Sequence, residues 1–383
     1  MVANGVPDGE AAMSDGTLDL SRLQVFPLAT RRHLTRLEDV LIEPASAPPP
    51  VTESVAAAVA GCAAAVRAAR ARGAGVMLIY GAHLLRNGAG RLLATLMSEG
   101  WLTHLATNGA GSIHDWEFAW QAQTSESVRE NVPAGRFGAW RETGEALNLA
   151  QLVGGAAGLG YGQALGRFMA QDGLTVPGRA ELRAAIAELA DDDPRLAGAA
   201  ELLAAIVRHG IPEGPRPCEH RWKQASPAAE AWRLGVPWTV HPGIGYDIIA
   251  CHPWYSGAAV GRAAAIDFAR FSASVETLDG GVVLSIGTAI MGPQVFEKSL
   301  SCVNNLRLGA GRERVGGHSI YVVDLQDGGG WDWTAGEPPK DNPAYYLRFC
   351  KSYSRMGGAM RYVQADNAAF THHLYHALRT AAE

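Results

Sequence analysis

Short runs of consecutive apolar residues recur along the chain, and each ends in glycine or small polar residues. Val76-Met77-Leu78-Ile79-Tyr80 is the first. An uninterrupted apolar run of this length fits a parallel strand buried on both faces. It ends in Gly81-Ala82-His83, and the pattern predicts a helix over about 84–98. A second strand is predicted over 101–107; it breaks into Asn108-Gly109-Ala110-Gly111-Ser112, with a helix from about Ile113. Further strands are predicted over 237–240, 281–286, 319–323 and 360–363. They lead into His241-Pro242-Gly243-Ile244-Gly245, into Gly287-Thr288-Ala289 with a helix to about Asn305, into a Gly/Asp/Trp-rich loop, and into Gln364-Ala365-Asp366-Asn367 with a last helix. Alternating strand and helix signals predict the α/β class: a parallel sheet covered by helices on both faces.

The remaining segments frame this unit. Residues 1–20 are polar and read as a mobile tail, and the Pro-rich stretch 43–50 reads as an extended connector. An Ala/Arg-rich helix is predicted over about 53–72. Residues 144–206 are rich in Ala, Gly and Leu and read as helices without a strand, followed by a loop marked by Gly210, Pro212, Gly214, Pro215 and Pro217. The expected division is an N-terminal tail and connector over 1–50 and one α/β domain over 51–383.

Composition narrows the class. With 383 residues, 48% of them hydrophobic and 19% charged, the chain is not of the disordered kind. The net charge of −5, from 33 basic and 38 acidic residues, offers no basic field for nucleic acid. Five cysteines, an odd number without CxxC spacing, argue against a disulfide framework or a zinc knuckle and point to the reducing cytoplasm. The longest apolar stretch, Val55–Val66, stops at Arg67 and falls short of the roughly 20 residues of a membrane span. No signal-peptide pattern is visible.

In an open parallel sheet, ligands bind outside the C-terminal ends of the strands. The glycine-rich turns occupy those ends. Asn108–Ser112 and Gly287–Ala289 are the best candidates for a nucleotide phosphate, although neither is a full GxGxxG or a Walker A loop. His83, His114, Asp115, Glu117, His241, Asp247 and Asp332 gather near the same ends, where acid–base or metal chemistry would need them. Each alone fits a helix cap or a structural hydrogen bond better than a chemical role; no HExxH or tight HxH pair is present, and no metal ligand set is assigned. Lys351 lies in the aromatic segment Tyr345–Tyr353, where an apolar pocket would make its amine a nucleophile toward carbonyl or imine carbon, and a surface lysine is the alternative. Trp331-Asp332-Trp333 reads as a ligand wall or as core.

From about Val76 to His376 the order and spacing of these segments resemble deoxyhypusine synthase. Gly81–Gly88 sits where that family has a Ser-Asn-Leu turn ending in glycine. Thr107–Asp115 resembles its Thr-Thr-Ala-Gly-Gly-Val-Glu-Glu-Asp loop, and His241–Asp247 its Thr-Asp-Gly-Ser-hydrophobic-Gly-Asp turn. Ser285–Ile290 resembles its Leu-Gly-Gly-Gly-Val strand end, Phe349-Cys350-Lys351 its Trp-Gly-Lys, and Tyr362–Asn367 its Val-Tyr-Ala-Asp-Ala strand. The resemblance implies a Rossmann-like NAD-binding fold, a homotetramer, and a reaction in which NAD oxidises a polyamine and a lysine carries the aminoalkyl group as an imine to an acceptor amine. On that implication Lys351 is the nucleophile; His114 and His241, which the family does not have at these places, are further catalytic candidates from their position at the strand ends. Thr107, Asn108, Gly109, Gly111, Gly287, Thr288 and Asp332 line the NAD site. Asp247 matches a carboxylate that holds the cationic end of the amine, and His83, Asp115, Glu117 and Trp331 are further substrate-binding candidates from their place near the strand ends.

The departures are specific. The family's paired glutamates give way to His114 and a neighbour, its ribose-binding aspartate falls on Pro242, its catalytic histidine falls near Gly292-Pro293, and its tryptophan before the lysine is Phe349. They open two alternatives: an NAD-independent enzyme on the same fold using His/Asp acid–base or metal chemistry on a less cationic substrate, and a non-catalytic ligand-binding oligomer.

Overall fold

The computed structural model describes residues 16–380. Its centre is a six-stranded sheet of β1 (Val76–Tyr80), β2 (His104–Asn108), β3 (Trp238–His241), β4 (Val282–Ile286), β5 (Ser319–Asp324) and β6 (Ala359–Gln364). Every neighbouring pair is parallel, and the spatial order is β3-β2-β1-β4-β5-β6. This is the order of the Rossmann sheet, which reverses direction between β1 and β4 and opens a crevice there. Tyr80 pairs with both Thr107 and Ile286, so the strand ends lie level and the turns after them form one rim.

Helices cover both faces. The principal ones are α1 (Glu53–Ala71), α2 (Gly109–Gln121), α3 (Arg141–Ala156), α4 (Gly257–Val275), α5 (Met291–Gly309) and α6 (Asn367–Arg379). Alternate residues of β1 supply opposite cores. Val76, Leu78 and Tyr80 pack with α1, α2 and α6, whereas Met77 and Ile79 pack with Phe271 of α4 and Phe296 of α5. That two-sided burial is why β1 reads as a continuous apolar run rather than an alternating one.

Several expectations are revised. The predicted helix over 84–98 is two helices, Ala82–Arg86 and Gly90–Ser98, parted by a turn with Gly88 at φ +86°. A Cβ at Gly88 would fall 1.8 Å from the Val40 carbonyl oxygen, so the chain bends there to admit the N-terminal segment. The Ala-rich middle does contain a strand: Gly173–Val176 pairs antiparallel with Gly214–Pro217. Its two prolines sit on a two-stranded ribbon, where a missing N–H is tolerated.

The predicted tail lies, up to residue 15, outside the described residues. The N-terminal segment beyond it is docked on the domain. Thr35–Arg36 pairs with Gln123–Thr124, Leu28 and Leu37 are buried, and Phe26 bridges to Trp140. The Pro-rich connector lies along α6, whose His372, His373 and His376 meet the carbonyls of Pro44, Pro49 and Ser46. Among the described residues α1 is the one helix long and apolar enough to cross a membrane by length and composition. In this fold its Val55, Val59, Cys62, Ala63, Val66 and Ala69 are buried in the core, and Arg67 donates to the Ala377 carbonyl.

Candidate functional site

A cavity of about 330 Å³ opens at the C-terminal ends of β2 and β3, with Arg86, His114, Glu117, Ser125, Glu126 and Asp247 in its lining. Phe137, Val128, Ile248 and Tyr246 supply its apolar wall. The sequence places a loop at 108–112, but α2 begins at Gly109, directly after β2. Asn108 is its N-cap, with Oδ1 accepting from the Gly111 N–H at 2.9 Å. The two glycines answer close approaches. A Cβ at Gly109 would fall 2.2 Å from Asp247 Oδ2, and one at Gly111 would fall 2.0 Å from Thr107 Oγ1. Thr107 is itself buried, its hydroxyl donating to the Tyr80 carbonyl at 3.1 Å.

One turn into α2, a line of polar groups fixes the chemistry of the cavity. Glu117 is buried, and its carboxylate receives four hydrogen bonds. Arg31 donates from both terminal nitrogens at 2.8 and 2.6 Å, Thr143 Oγ1 donates at 2.8 Å and Thr124 Oγ1 at 2.6 Å. Burial alone would raise the Glu117 carboxyl, but the charge and N–H groups of Arg31 with the two hydroxyls outweigh it and hold the group below its ordinary range. An ionised carboxylate only accepts, so the single Thr124 proton points to Glu117. Thr124 Oγ1 then accepts from His114 Nδ1, 2.8 Å away. The imidazole is neutral, because burial pushes its pKa down to about 4, with Arg86, His83 and Arg31 acting in the same direction against Glu117. A neutral ring with its proton on Nδ1 carries a free lone pair on Nε2. The line Glu117–Thr124–His114 thus orients a base in the cavity wall.

The strand that carries Thr124 is held under strain. Ala122 at φ +55° and Ser125 at φ +66° flank Gln123–Thr124, and neither is glycine. Ser125 lines the cavity, and its Oγ is buried without a hydrogen-bond partner among the described residues. Opposite, burial raises the Asp247 carboxyl to about 6 against the Gly243 N–H that donates to it at 2.7 Å. The cavity therefore combines a neutral base, an unpaired hydroxyl, the carboxylates of Asp247 and Glu126, and the guanidinium of Arg86.

Other residues singled out in the sequence lie elsewhere. His83, in the short helix after β1, is exposed yet close enough to His114 to affect its charge. Asp115 sits in the second turn of α2 on the face turned from the cavity, where Oδ2 accepts from the Ala228 N–H at 3.0 Å. His241 ends β3 within a buried chain, Ser274–His104–Thr239–His241, with contacts of 2.8, 2.9 and 3.1 Å. Gly287 (φ +59°) and Thr288 lie at the β1/β4 crevice. Thr288 Oγ1 accepts from the Gly292 N–H, and a Cβ at Gly287 would meet the Asn367 side-chain amide, whose Oδ1 is buried and unpaired. Lys351 is not in the cavity lining. Its Nζ lies 3.4 Å from the centre of the Tyr345 ring, a cation–π contact, and 3.8 Å from Glu337 Oε2. Asp332 is exposed and bonds Thr334, and Trp331 is half-buried with Nε1 donating to the Gly336 carbonyl.

Sequence reasoning missed Arg31, Arg86, Thr124, Ser125 and Glu126. Arg31 was hidden in a segment that reads as connector, and the positive φ of Ser125 leaves no trace in residue type. Among the described residues no group of three or more His, Cys, Asp and Glu side chains is placed to hold a metal ion.

No family model matches the chain, and no curated protein does. Solved structures similar to it include unliganded AgrE (15% identity, TM-score 0.44, 88% of this chain and 34% of that one). AgrE in ternary complex with ornithine and NAD+ is similar at 14% identity and TM-score 0.42, over 86% of this chain and 34% of that one. A conserved putative LOR/SDH protein from Methanococcus maripaludis S2 is similar at 13% identity and TM-score 0.40, over 88% of this chain and 74% of that one. The chain thus spans about a third of the AgrE chains.

Proposed function

We propose that the chain is an enzyme that oxidises a small amine or amino-acid-like substrate in the cavity beside β2 and β3, with NAD as the oxidant. The observation that carries this reading is the Glu117–Thr124–His114 line, which leaves an unprotonated Nε2 on a cavity wall. Mixed charge supports the substrate class. Asp247 and Glu126 suit an ammonium, and Arg86 suits a carboxylate.

For NAD, the Rossmann strand order and the β1/β4 crevice fit, as does the orphaned Asn367 Oδ1 beside Gly287. The turn Gly81-Ala82-His83-Leu84-Leu85-Arg86 lacks the second and third glycines of a full fingerprint, so the backbone of Gly287–Thr288 and the Asn367 amide would hold the dinucleotide. When bound, NAD supplies a hydride acceptor. His114 Nε2 takes the proton from the substrate nitrogen, Thr124 keeps the ring in the required tautomer, and the Glu117 carboxylate stabilises the imidazolium that forms. Ser125 Oγ hydrogen-bonds the substrate.

The transfer through a lysine imine is not part of this reading, because Lys351 lies under Tyr345 beside Glu337 and outside the cavity lining. A second reading, NAD-independent acid–base chemistry by His114 and Asp247, is favoured by the internal engagement of Thr107 and Asn108.

The test is NAD titration by tryptophan quenching, with NADH formation followed on a panel of diamines and basic amino acids. Saturable NAD binding that survives in His114→Gln, with NADH formation reduced about 10²–10⁴-fold, is the expected result. Failure of NAD to bind overturns the first reading in favour of the second.

A further inference from the structure

At the opposite end of the sheet, where β3 begins, lies a second cavity of about 270 Å³. Gln163, Trp232, Val236, Trp238 and Arg270 line it. Two of these carry an unmet hydrogen-bonding need. Arg270 Nε and Gln163 Oε1 are both buried, and neither has a partner among the described residues. The nearest carboxylate along α4, Asp267, feels the charge of Arg270 but forms no ion pair with it: Oδ2 takes the Gly162 and Val240 N–H groups at 2.8 Å each, Oδ1 is buried without a partner among the described residues, and no acidic residue lines the cavity. A half-buried guanidinium without a paired carboxylate is an anion site in search of its anion. The Trp238 Nε1 donates to Tyr80 Oη at 2.8 Å, so that ring offers the cavity its surface rather than a free donor. The volume falls below the roughly 300–1,000 Å³ of a drug-sized pocket, which restricts the occupant to a single ring.

We propose that this cavity binds a small planar carboxylate, an aromatic or heteroaromatic acid bearing an N–H donor on its ring. Arg270 holds the carboxylate, Gln163 Oε1 accepts from the N–H, and the ring lies against Trp232. The site lies at the N-terminal end of β3, away from the His114 cavity, and it stands independently of the oxidation assigned there.

The probe is 2-aminobenzoate, whose fluorescence is excited by energy transfer from tryptophan. Saturable transfer at micromolar to low-millimolar ligand is expected, displaced by benzoate. Arg270→Gln weakens binding at least about tenfold, in line with a lost charge-assisted bond. Gln163→Leu weakens 2-aminobenzoate but not benzoate, and His114→Gln changes neither. Arg270→Lys, which keeps the charge and loses the fork, serves if the glutamine variant does not fold, and it also weakens binding. Absence of saturable transfer in the intact protein overturns the proposal, as does unchanged affinity in an Arg270 variant that keeps its melting temperature.

Discussion

The tautomer of His114 rests on one hydroxyl, and Thr124→Val removes it while preserving side-chain shape. In the native chain Thr124 Oγ1 donates to Glu117 at 2.6 Å and accepts from His114 Nδ1 at 2.8 Å. Valine deletes both bonds and leaves the Nδ1–H facing a methyl group. The proton then prefers Nε2, where the cavity offers partners. A hydrogen bond coupled to an ionised group contributes about 1.5–3 kcal/mol, which corresponds to a shift of about 10- to 150-fold in the tautomer ratio. The unmet groups lower stability by about 1–3 kcal/mol. Long-range ¹H–¹⁵N correlation of the imidazole reads the tautomer directly, without knowledge of the substrate, and urea unfolding reads the stability. Native His114 protonated on Nδ1, switching to Nε2 in Thr124→Val and retained in Thr124→Ser, is the expected pattern. A native ring protonated on Nε2, or a valine variant with an unchanged spectrum, refutes the oriented base.

The same geometry gives three further expected outcomes. Burial raises Asp115 to about 7 from an unfolded value of 3.8, so between those limits the folded chain holds a proton the unfolded one has lost. Stability from this group therefore falls as pH rises through the window, at up to about 1.4 kcal/mol per pH unit. Asp115→Asn should gain on the native protein by up to about 2.7 kcal/mol between pH 5 and pH 7 in urea unfolding, and a flat difference would contradict the shift. Gly109→Ala drives a methyl group into the Asp247 carboxylate and should lower stability by about 1–3 kcal/mol and raise KM, whereas Gly261→Ala, with nothing within 4 Å, should leave melting unchanged or slightly higher. Lys351→Met should leave turnover in the His114 cavity within a few-fold, and borohydride should trap no lysine adduct during turnover; loss of activity with a trapped adduct would restore the imine route.

Much of the fold was legible because burial on both faces of a parallel strand leaves a short apolar run, and its length with the glycine or polar turn after it separates it from a buried helix. All six central strands fall within a few residues of the predicted runs. The candidate site was legible in part. Histidines and carboxylates after strands point to the rim at the strand ends, and His114, Glu117 and Asp247 meet there in one cavity. The same pattern also gathers Asp115 and His241, which face away from that cavity. Residue type and spacing do not reveal which side of a helix meets the cleft when the helix is buried all round.

The sequence by itself determined the parallel α/β class and the runs that become its strands. Those arise from local periodicity and composition, which act residue by residue. Only the tertiary structure decided the roles. Arg31 reaches across 86 residues of chain to neutralise Glu117, and Thr124 comes from a strand made by pairing with Thr35–Arg36. A buried carboxylate stays ionised only when a distant cation is folded against it, and a histidine's tautomer is set by the hydroxyl that happens to face it. Both are properties of contacts between remote segments, and no window of sequence contains them.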